Sequence, residues 1–472
     1  MRLKNNALFW AFAFLLAALA LSAPAARADP VVLTPAIPVG TQPAHIAITP
    51  NGQFAYVANN GGTTVNVIDT TTNTVVGSPI TVGSAPWGVA ITADGQFAYV
   101  TNMSSNTVSV IDTQKAQDPA TQASAVVATI AVGAGPHGVA INGTFAYVNN
   151  EGNGSVSVID TTDNTVVGSP ITVGTFPWDI AISPDGQFAY VSNLASASSS
   201  VSVIDTQKAQ NPATQASAVV DTIPVGSAPE GIAINGTFAY VVNARGGTVN
   251  VIDITDNTVV GSPIAVGGGP SSIAITPDGQ SAYVTNTSDN TVSVIDLQKA
   301  QDPATQADAV VNTLAVGAFP YQIAITPDGQ FAYVSDYNSK SVTVIALGAT
   351  LSSLHDGNVG AAYSGVITVS NATGASTFTV TTGADSLPPG LTLDAATGKL
   401  TGVPTAAGTY AFTVSASSTV RGLTETPVTR NYTVVIRAAV AAAPIPTLGE
   451  VALVALALLL GMSAVAVHRR GL

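Results

Sequence analysis

Seven near-copies of one short motif constrain the fold of this chain more than any other feature. Each copy reads Ala-Tyr-Val, one further residue, then Asn or Asp. The seven tyrosines are Tyr56, Tyr99, Tyr147, Tyr190, Tyr240, Tyr283 and Tyr333. Successive copies are 43 to 50 residues apart, and a repeat of that length with strand-like content is typical of a propeller blade. The spacing predicts an all-β protein whose main body is a seven-bladed β-propeller.

Residues 86–133 show the content of one repeat. Four short apolar runs rich in β-branched residues follow one another: Trp87–Ile91, Phe97–Thr101, Val108–Asp112 and Val126–Val132. Such residues suit the pleated surface of a sheet, and the tight turns between the runs indicate an antiparallel meander. A single sheet of this kind exposes two apolar faces, whereas stacking one blade on the next buries both.

The two ends of the repeat array complement each other. The seventh repeat stops after its third run, Val342–Ile345, while an unpaired run of the fourth-strand type, residues 31–40, precedes the first repeat. Within that run Ile37–Gly40 reads Ile-Pro-Val-Gly, as does Ile223–Gly226 of repeat four. We therefore expect residues 31–40 to complete blade 7 and close the ring, which removes an open sheet edge.

Repeats two, four and six carry an insert between their third and fourth strands. The inserts begin at Thr113, Thr206 and Leu297 and share a Gln-Lys-Ala-Gln stretch. Their alternation indicates that a two-blade unit was duplicated, and it places the inserts on one rim at every second blade. We interpret them as solvated surface loops, since loops vary in length at little cost.

Composition excludes several classes of function. Only 9% of the 472 residues are charged, against about 25% in typical soluble domains. The net charge is −13 and no basic stripe exists, so nucleic-acid binding is excluded. The chain has no cysteine, so disulfides and thiol nucleophiles are excluded as well. A surface of Thr, Ser, Asn, Gln and Gly suits an extracellular β protein.

The amino-terminal segment has the pattern of an export signal. Residues 1–28 combine Arg2 and Lys4 with a long apolar run, and they end in Ala-Arg-Ala. Signal peptidase accepts small residues at the last and third-last positions before the cleavage site, which Ala28 and Ala26 occupy. The segment predicts a secretory signal peptide that is cleaved after Ala28, and an uncleaved membrane anchor is the alternative.

The carboxyl-terminal segment, residues 451–472, pairs an apolar run with a basic tail. The run Val451–Val467 is at the lower limit of about 17 residues for a transmembrane helix. The linker 439–450 before it contains the motif Ile445, Pro446, Thr447 and Leu448. Together these features resemble the IPTL-CTERM sorting signal of Gram-negative bacteria. The resemblance implies an exosortase-like sorting enzyme as partner and delivery to the cell surface; a plain transmembrane anchor is the alternative.

Two further resemblances cover the rest of the chain. Residues 29–346, with their Tyr-Val-x-Asn and Val-x-Val-Ile-Asp motifs, resemble the YVTN-type propeller repeat, whose members include surface proteins, binding proteins and some enzymes. Residues 347–438 contain the stretch Leu387–Leu393 (Leu-Pro-Pro-Gly-Leu-Thr-Leu) and resemble the immunoglobulin-like domain of bacterial surface proteins. The second resemblance implies a β-sandwich that serves as a spacer or adhesive module.

Each repeat also places one variable residue just after the proline that opens its first strand. These candidate ligand-binding residues are His45, Trp87, His137, Trp178, Glu230, Ser271 and Tyr321. Since equivalent positions are related by the propeller axis, we expect them to form a ring around one mouth of the central channel.

The ring leaves three interpretations open. Its aromatic members could stack on sugar rings or a peptide. Alternatively, His45, His137 and Glu230 could hold a metal ion, although they belong to alternate blades, too far apart for bonds of about 2 Å to one ion. In the third, the ring lines a wet funnel and binds nothing specific.

The sequence as a whole favours a non-enzymatic role. It shows no nucleophile elbow, zinc-protease helix or phosphate-binding loop, so we assign no catalytic residue, no metal site and no cofactor. We expect an exported binding or structural protein of the bacterial envelope, whose partners are extracellular polysaccharide or other surface proteins. The alternative is an extracytoplasmic propeller enzyme, a metal-dependent hydrolase or lactonase that uses the channel mouth.

Overall fold

The computed structural model describes residues 30–195, 199–347, 354, 356–368, 376–381, 387–417, 419–420, 423–425 and 428–438. The predicted signal peptide (1–28), the linker with its sorting motif (439–450) and the carboxyl-terminal apolar segment (451–472) lie outside these residues. Within the described part of the chain, no helix is both long and apolar enough to cross a membrane.

Seven antiparallel sheets follow one another along the chain; six are built from consecutive strands, and the seventh also takes in the first strand of the chain. Blade 1 comprises β2 (Pro43–Ile48), β3 (Phe54–Asn59), β4 (Thr64–Asp69), β5 (Thr74–Val75) and β6 (Ile80–Thr81). Blade 2 comprises β7 (Pro86–Ile91), β8 (Phe97–Asn102), β9 (Thr107–Asp112) and β10 (Val126–Ala131). Blade 3 comprises β11 (Pro136–Asn142), β12 (Phe145–Asn150), β13 (Ser155–Asp160) and β14 (Thr165–Thr172). In blade 1 the outer strand is interrupted, and both β5 and β6 pair with β4.

Blades 4 to 7 repeat this arrangement. Blade 4 comprises β15 (Pro177–Ile182), β16 (Phe188–Asn193), β17 (Ser200–Asp205) and β18 (Val219–Pro224), and blade 5 comprises β19 (Pro229–Asn235), β20 (Phe238–Asn243), β21 (Thr248–Asp253) and β22 (Thr258–Ala265). Blade 6 comprises β23 (Pro270–Ile275), β24 (Ser281–Asn286), β25 (Thr291–Asp296) and β26 (Val310–Ala315). Blade 7 comprises β27 (Pro320–Ile325), β28 (Phe331–Asp336), β29 (Ser341–Ala346) and, from the start of the chain, β1 (Val31–Pro38).

The first strands of the seven blades surround the channel. Each contacts the first strands of both neighbouring blades, and the contact between β2 and β27 completes the circle. Apolar side chains of adjacent blades pack together between the sheets; for example, Tyr56 and Val67 of blade 1 lie in one cluster with Val100 and Ile111 of blade 2. The propeller predicted from the repeat spacing therefore has seven blades.

Strand β1 fills the outer position of blade 7. It pairs antiparallel with β29, with Leu33 opposite Val344 and Ile37 opposite Val342. Both apolar side chains are buried, at 1% and 3% exposure. The seventh sheet is thus made from the two ends of the repeat array, which joins the last blade to the segment that precedes the first.

The tyrosine of each repeat motif reaches the next blade. The Tyr99 hydroxyl donates to Asn164 Oδ1 at 2.6 Å, and the Tyr190 hydroxyl donates to Asn257 Oδ1 at 3.0 Å. The Tyr147 hydroxyl instead accepts from Gln210 Nε2 at 2.9 Å. The two kinds of partner alternate because short links and inserts alternate between the blades.

The asparagine that ends the motif ties its own blade together. Asn286 is fully buried, and its Nδ2 donates to Thr291 Oγ1 at 3.0 Å and to Ser293 Oγ at 2.9 Å. The glycine of the closing Val-Gly pair packs on this amide: a Cβ added to Gly267 would lie 2.6 Å from Asn286 Cγ. The motif is therefore an architectural device, repeated in six blades, and Asp336 takes the place of asparagine in blade 7.

The inserts differ from the expectation of solvated loops. Each begins with a short helix, α1 (Thr113–Ala116), α2 (Thr206–Ala209) or α3 (Leu297–Gln301), and continues into a 3-10 turn at Gln122–Ser124, Gln215–Ser217 or Gln306–Asp308. The glutamine that opens the turn is buried at 3 to 4% exposure. It binds the backbone of the preceding blade.

In the blade 3–4 pair, the Gln215 amide makes three hydrogen bonds. Its Nε2 donates to the Val167 and Ala209 carbonyls, both at 2.9 Å, while its Oε1 accepts from Ser169 N–H at 3.0 Å. The equivalent bonds of Gln122 and Gln306 join blade 1 to 2 and blade 5 to 6. The inserts therefore join the blades in pairs. The sequence did not reveal this role, because it does not show which glutamine of an insert is buried and which is exposed.

Replacing Gln215 with alanine will lower the free energy of unfolding by about 2 kcal/mol, because the carbonyls of the buried Ala209 and the half-buried Val167 lose their hydrogen-bond donor. Urea unfolding of the purified protein measures this change. The matched control is Gln207→Ala in the same insert, since that side chain is exposed. If both variants unfold at the same urea concentration, the pairing role of the inserts is refuted.

The chain divides into two compact units, and the second comprises Ser353–Ile367, Thr379–Val414 and Asn431–Leu472. The remaining β-strands after the blades are β30 (Gly357–Asn358), β31 (Tyr363–Val366), β32 (Thr377–Thr381), β33 (Leu391–Leu393), β34 (Lys399–Gly402), β35 (Gly408–Ser417), β36 (Thr419–Val420), β37 (Leu423–Glu425) and β38 (Val428–Arg437). They form a four-stranded sheet, β30-β38-β35-β32, and a three-stranded sheet, β31-β34-β33.

Two stretches of the chain that follows the blades group with the propeller unit. These are residues Thr368–Phe378 and Ser415–Arg430. The reason is visible in the sheet of blade 7, where β37 pairs with β1 so that Glu425 lies opposite Leu33. The strands β36 and β37 therefore extend the closing blade to six strands.

Candidate functional site

Six of the seven predicted ring residues occupy equivalent positions, one residue after the proline at the start of their inner strands. His45 is the exception. In blade 1 the equivalent residue is the buried Ala44, and His45 lies one position further along β2, level with Asp179 on β15. His45 is the first polar residue after Pro43, but Ala44 precedes it and takes the ring position.

Aromatic rings converge at the channel mouth. His137 lies between two tryptophans, 4.3 Å from Trp87 and 3.9 Å from Trp178, measured between ring centroids. Trp87 also meets Trp178 at 5.9 Å and Tyr321 at 5.4 Å, both edge to face. These side chains come from blades 2, 3, 4 and 7, so they meet across the channel rather than lining its wall.

The converging rings leave little free space. The cavity among them has a volume of about 10 Å³ and is lined by His45, Trp87, His137, Trp178, Ser271 and Tyr321, among others. That volume is enough for about one water molecule. The expectation of a wet funnel is therefore not met in this structure, since the aromatic side chains close the mouth.

Two phenylalanines missing from the predicted ring extend the aromatic surface outward. Phe319, two residues before Tyr321, stacks with it at 6.3 Å and lies 5.8 Å from Tyr337. Phe176 stands at the equivalent position before Trp178 and is 45% exposed. The signal was present in the sequence, because these two repeats alone have an aromatic residue before the opening proline.

Both phenylalanines adopt a backbone conformation that disfavours them. Their φ angles are 55° and 56°. The equivalent residues of the other blades also have a positive φ, and they are Gln42, Ala85, Gly135, Ala228 and Gly269. A positive φ costs a bulky residue roughly 1 to 2 kcal/mol relative to glycine. Phe176 bears this cost while it remains largely in solvent, so its burial does not explain its presence.

The mouth carries little charge at neutral pH. Burial lowers the pKa of His45 to about 4 and the pKa of His137 to about 3, so both rings are neutral. Burial raises the pKa of Glu230 to about 8. The half-buried Glu230 on β19 is therefore mostly protonated at pH 7. Asp179 remains mostly ionised, with a pKa that burial raises to about 6, and Glu151 lies near enough to help raise the pKa of Tyr321.

Hydrogen bonds fix the polar groups of the mouth. Asp179 accepts from the Ile180 N–H at 2.9 Å and from the Ile232 N–H at 3.2 Å. His137 Nδ1 lies 2.9 Å from the Trp178 carbonyl, which assigns the ring proton to Nδ1, while its buried Nε2 has no hydrogen-bond partner. Ser271 Oγ donates to the Tyr321 carbonyl at 3.0 Å.

The metal alternative receives no support from this geometry. Among the described residues, no group of three or more His, Asp or Glu side chains is arranged to hold a metal ion. His45, His137 and Glu230 accordingly do not form a ligand set.

Comparisons with known families and structures agree with this architecture. The family described as Lactonase, 7-bladed beta-propeller, matches three overlapping stretches, residues 26–128, 115–265 and 232–369. The family described as Putative Ig domain matches residues 345–436, and the IPTL-CTERM motif matches residues 443–470. No curated protein matches the chain.

Two solved structures have similar folds. Hydrazine synthase of Kuenenia stuttgartiensis is 25% identical and aligns with a TM-score of 0.56 over 65% of this chain and 97% of that one. A functionally unknown protein from Desulfotomaculum acetoxidans DSM 771 is 21% identical, with a TM-score of 0.52 over 62% of this chain and 92% of that one. The second likeness shows the fold alone.

The matches confirm the predicted propeller, immunoglobulin-like domain and sorting motif. The motif implies an exported protein that is sorted to the cell surface and processed by a sorting enzyme such as exosortase. With blades, closure and family matches in agreement, the chain belongs to the family of seven-bladed lactonase-type β-propellers.

Proposed function

We propose that this protein binds an uncharged extracellular polymer at the aromatic mouth of its propeller. The observation that carries the proposal is the unbroken set of ring contacts from Trp178 through His137, Trp87 and Tyr321 to Phe319. Such a surface offers apolar ring faces on which sugar rings stack. The cell-surface sorting motif supports a polysaccharide of the envelope as the partner.

The phenylalanines support a ligand-binding role over a purely structural plug. The positive φ belongs to this turn in every blade, but only blades 4 and 7 place a large apolar side chain there. Phe176 is 45% exposed, so burial does not account for it. The low charge of the mouth at neutral pH also favours an uncharged ligand, because neither neutral histidine offers a positive charge to an anion.

An extracytoplasmic hydrolase or lactonase, with or without a metal, is the second candidate, and the family match favours it. It requires room for a lactone ring at the mouth. The cavity of about 10 Å³ does not provide that room in the arrangement described. Hydrolysis of simple lactones by the purified protein would favour this candidate over the binding role.

Replacing both Phe176 and Phe319 with glycine will weaken binding to neutral glycans on an array by at least tenfold, equivalent to about 1.4 kcal/mol. The loss follows from removal of two stacking faces. The free energy of unfolding of the single variant Phe176→Gly will stay the same or rise by up to about 1 kcal/mol, because glycine relieves the strained φ.

The matched control is the double variant Val220→Ala with Val311→Ala, which removes exposed apolar side chains from the outer strands of blades 4 and 6. This control should bind glycans as the unchanged protein does. An identical glycan profile for the phenylalanine and valine variants would remove the mouth as a binding site.

A further inference from the structure

Two polar grooves lie at the other end of the inner strands, roughly 15 Å from the aromatic mouth at 3.3 Å per residue. The first has a volume of about 400 Å³, lies between blades 1 and 2, and is lined by Asn51, Asp94, Thr113, Gln114 and Gln117, among others. The second, of about 300 Å³, lies between blades 3 and 4 and is lined by Thr144, Asp185, Thr206, Gln207 and Gln210, among others.

The two grooves are copies of one design. In each, the first hairpin turn of the even-numbered blade supplies an aspartate, and the insert helix supplies a threonine and two glutamines. Blades 5 and 6 carry most of the same elements, with Asp278 in the turn and Gln298 and Gln301 in the insert, although Leu297 takes the place of the threonine. Gln301 Nε2 bonds to the Tyr240 hydroxyl at 2.8 Å, as Gln210 bonds to Tyr147 at 2.9 Å. The design thus recurs at every second blade.

The groove walls are held in place before any ligand arrives. Asp185 accepts from Ser183 Oγ at 2.6 Å and from the Gln187 N–H at 3.0 Å. Thr206 Oγ1 donates to the Gly186 carbonyl at 2.7 Å, which ties the insert to the hairpin turn. Preorganised walls reduce the ordering cost of binding.

The chemistry of the lining selects the ligand class. Amide, hydroxyl and carboxylate groups match the donors and acceptors of sugar hydroxyls, and the volumes of both grooves fall at the lower end of the range typical of ligand pockets. Among the described residues that line the grooves, none is Lys or Arg, so an anionic sugar finds no counter-charge. We infer that the two grooves, together with the equivalent position between blades 5 and 6, bind uncharged sugar units of a repeating polysaccharide.

Repetition gives these sites a property that the single mouth lacks. A polymer that occupies one groove presents its next units to another groove at high effective concentration, so its affinity exceeds that of a single unit. The inference is independent of the mouth, because the grooves share none of its residues.

The test uses the full chain on an array of neutral, anionic and amino-sugar glycans, each printed as a monosaccharide and as a hexasaccharide. The unchanged protein should bind neutral hexasaccharides at least tenfold more tightly than the corresponding monosaccharides. The triple variant Gln114→Arg, Gln207→Arg and Gln298→Arg fills the grooves beside their aspartates, and it should lose at least tenfold in affinity. Each single variant should lose part of that.

The matched control places the same three charges elsewhere in the same inserts, as Ala120→Arg, Ala213→Arg and Ala304→Arg, at exposed positions outside the groove linings. It should bind as the unchanged protein does. The inference is overturned if the unchanged protein binds no neutral hexasaccharide, if the glutamine variant binds normally, or if both triple variants lose binding equally. If the Phe176→Gly, Phe319→Gly protein loses binding while the glutamine variant does not, recognition belongs to the mouth and the inference about the grooves is likewise overturned.

Discussion

Replacing Ile37 with alanine will lower the free energy of unfolding by about 3 to 4 kcal/mol and release the first strand from blade 7. Ile37 is 3% exposed and packs with Leu33, Phe331 and Val342. Truncating a buried isoleucine to alanine removes its transfer free energy and leaves a cavity, at a cost of about 2 to 5 kcal/mol. Urea unfolding measures the loss, and limited proteolysis with mass spectrometry detects cleavage within residues 31–40.

The location of Ile37 makes the outcome specific to ring closure. Strand β1 reaches its partner β29 only through the whole ring, whereas β18 is joined to its partner β17 by a short insert. Ile223→Ala in β18 is the matched control, because Ile223 is also 3% exposed and sits in the same Ile-Pro-Val-Gly sequence. It should cost similar stability without exposing residues 31–40 to protease. Equal cleavage in both variants would show that β1 is no weaker a point than any other outer strand.

The architecture was largely predictable because it depends on repetition. The seven Ala-Tyr-Val motifs gave the number of blades, and the missing fourth strand of the last repeat pointed to residues 31–40 as its replacement. In the structure Leu33 stands opposite Val344. Such inferences need only the period and the polarity pattern of the chain, both of which are local properties.

The state of the candidate site was not predictable in the same way. Equivalent positions gave the ring, but they could not show that Trp87 would reach Tyr321 across the channel and close it. The extent to which side chains meet depends on the channel width and on rotamers, neither of which a period encodes. The one-residue offset of His45 arose because blade 1 has Ala44 at the ring position.

The polar interior was also hidden in the sequence. The buried Gln215 and the exposed Gln207 are eight residues apart in one insert, and only the backbone path decides which amide faces the neighbouring blade. The role of the motif asparagines was equally hidden, since Asn286 is fully buried and binds two hydroxyls of the next strand. Asp336 departs from this pattern and has consequences for stability.

Replacing Asp336 with asparagine will stabilise the protein at pH 8 by up to about 3 kcal/mol. Asp336 is fully buried, and burial raises its pKa from 3.8 to about 6 despite hydrogen bonds from Ser341 and Thr343. Because the pKa of Asp336 is higher in the folded state than in the unfolded state, its contribution to the free energy of unfolding is fully present below about pH 4. That contribution is lost as the pH rises through about 6. A shift of about two units corresponds to roughly 3 kcal/mol.

Urea unfolding between pH 4 and pH 8 separates this charge effect from a change in packing. The unchanged protein should lose stability across that interval, whereas the Asp336→Asn protein, whose amide can donate to the same two hydroxyls as in the sister blades, should lose less. Near pH 4 the two proteins should be similar, since a protonated carboxyl and an amide have nearly the same shape. Equal stability of the two at pH 8 would show that the buried carboxylate carries no penalty.

The reciprocal exchange provides the matched control. Asn286 in blade 6 binds Thr291 and Ser293 as Asp336 binds Ser341 and Thr343. Asn286→Asp should therefore introduce a second pH-dependent loss between pH 4 and pH 8, of the same sign and similar size. Because blade 7 is the blade closed by β1, a carboxylate there couples the strength of the closure to pH, and the same carboxylate in blade 6 should destabilise the protein without increasing cleavage within residues 31–40.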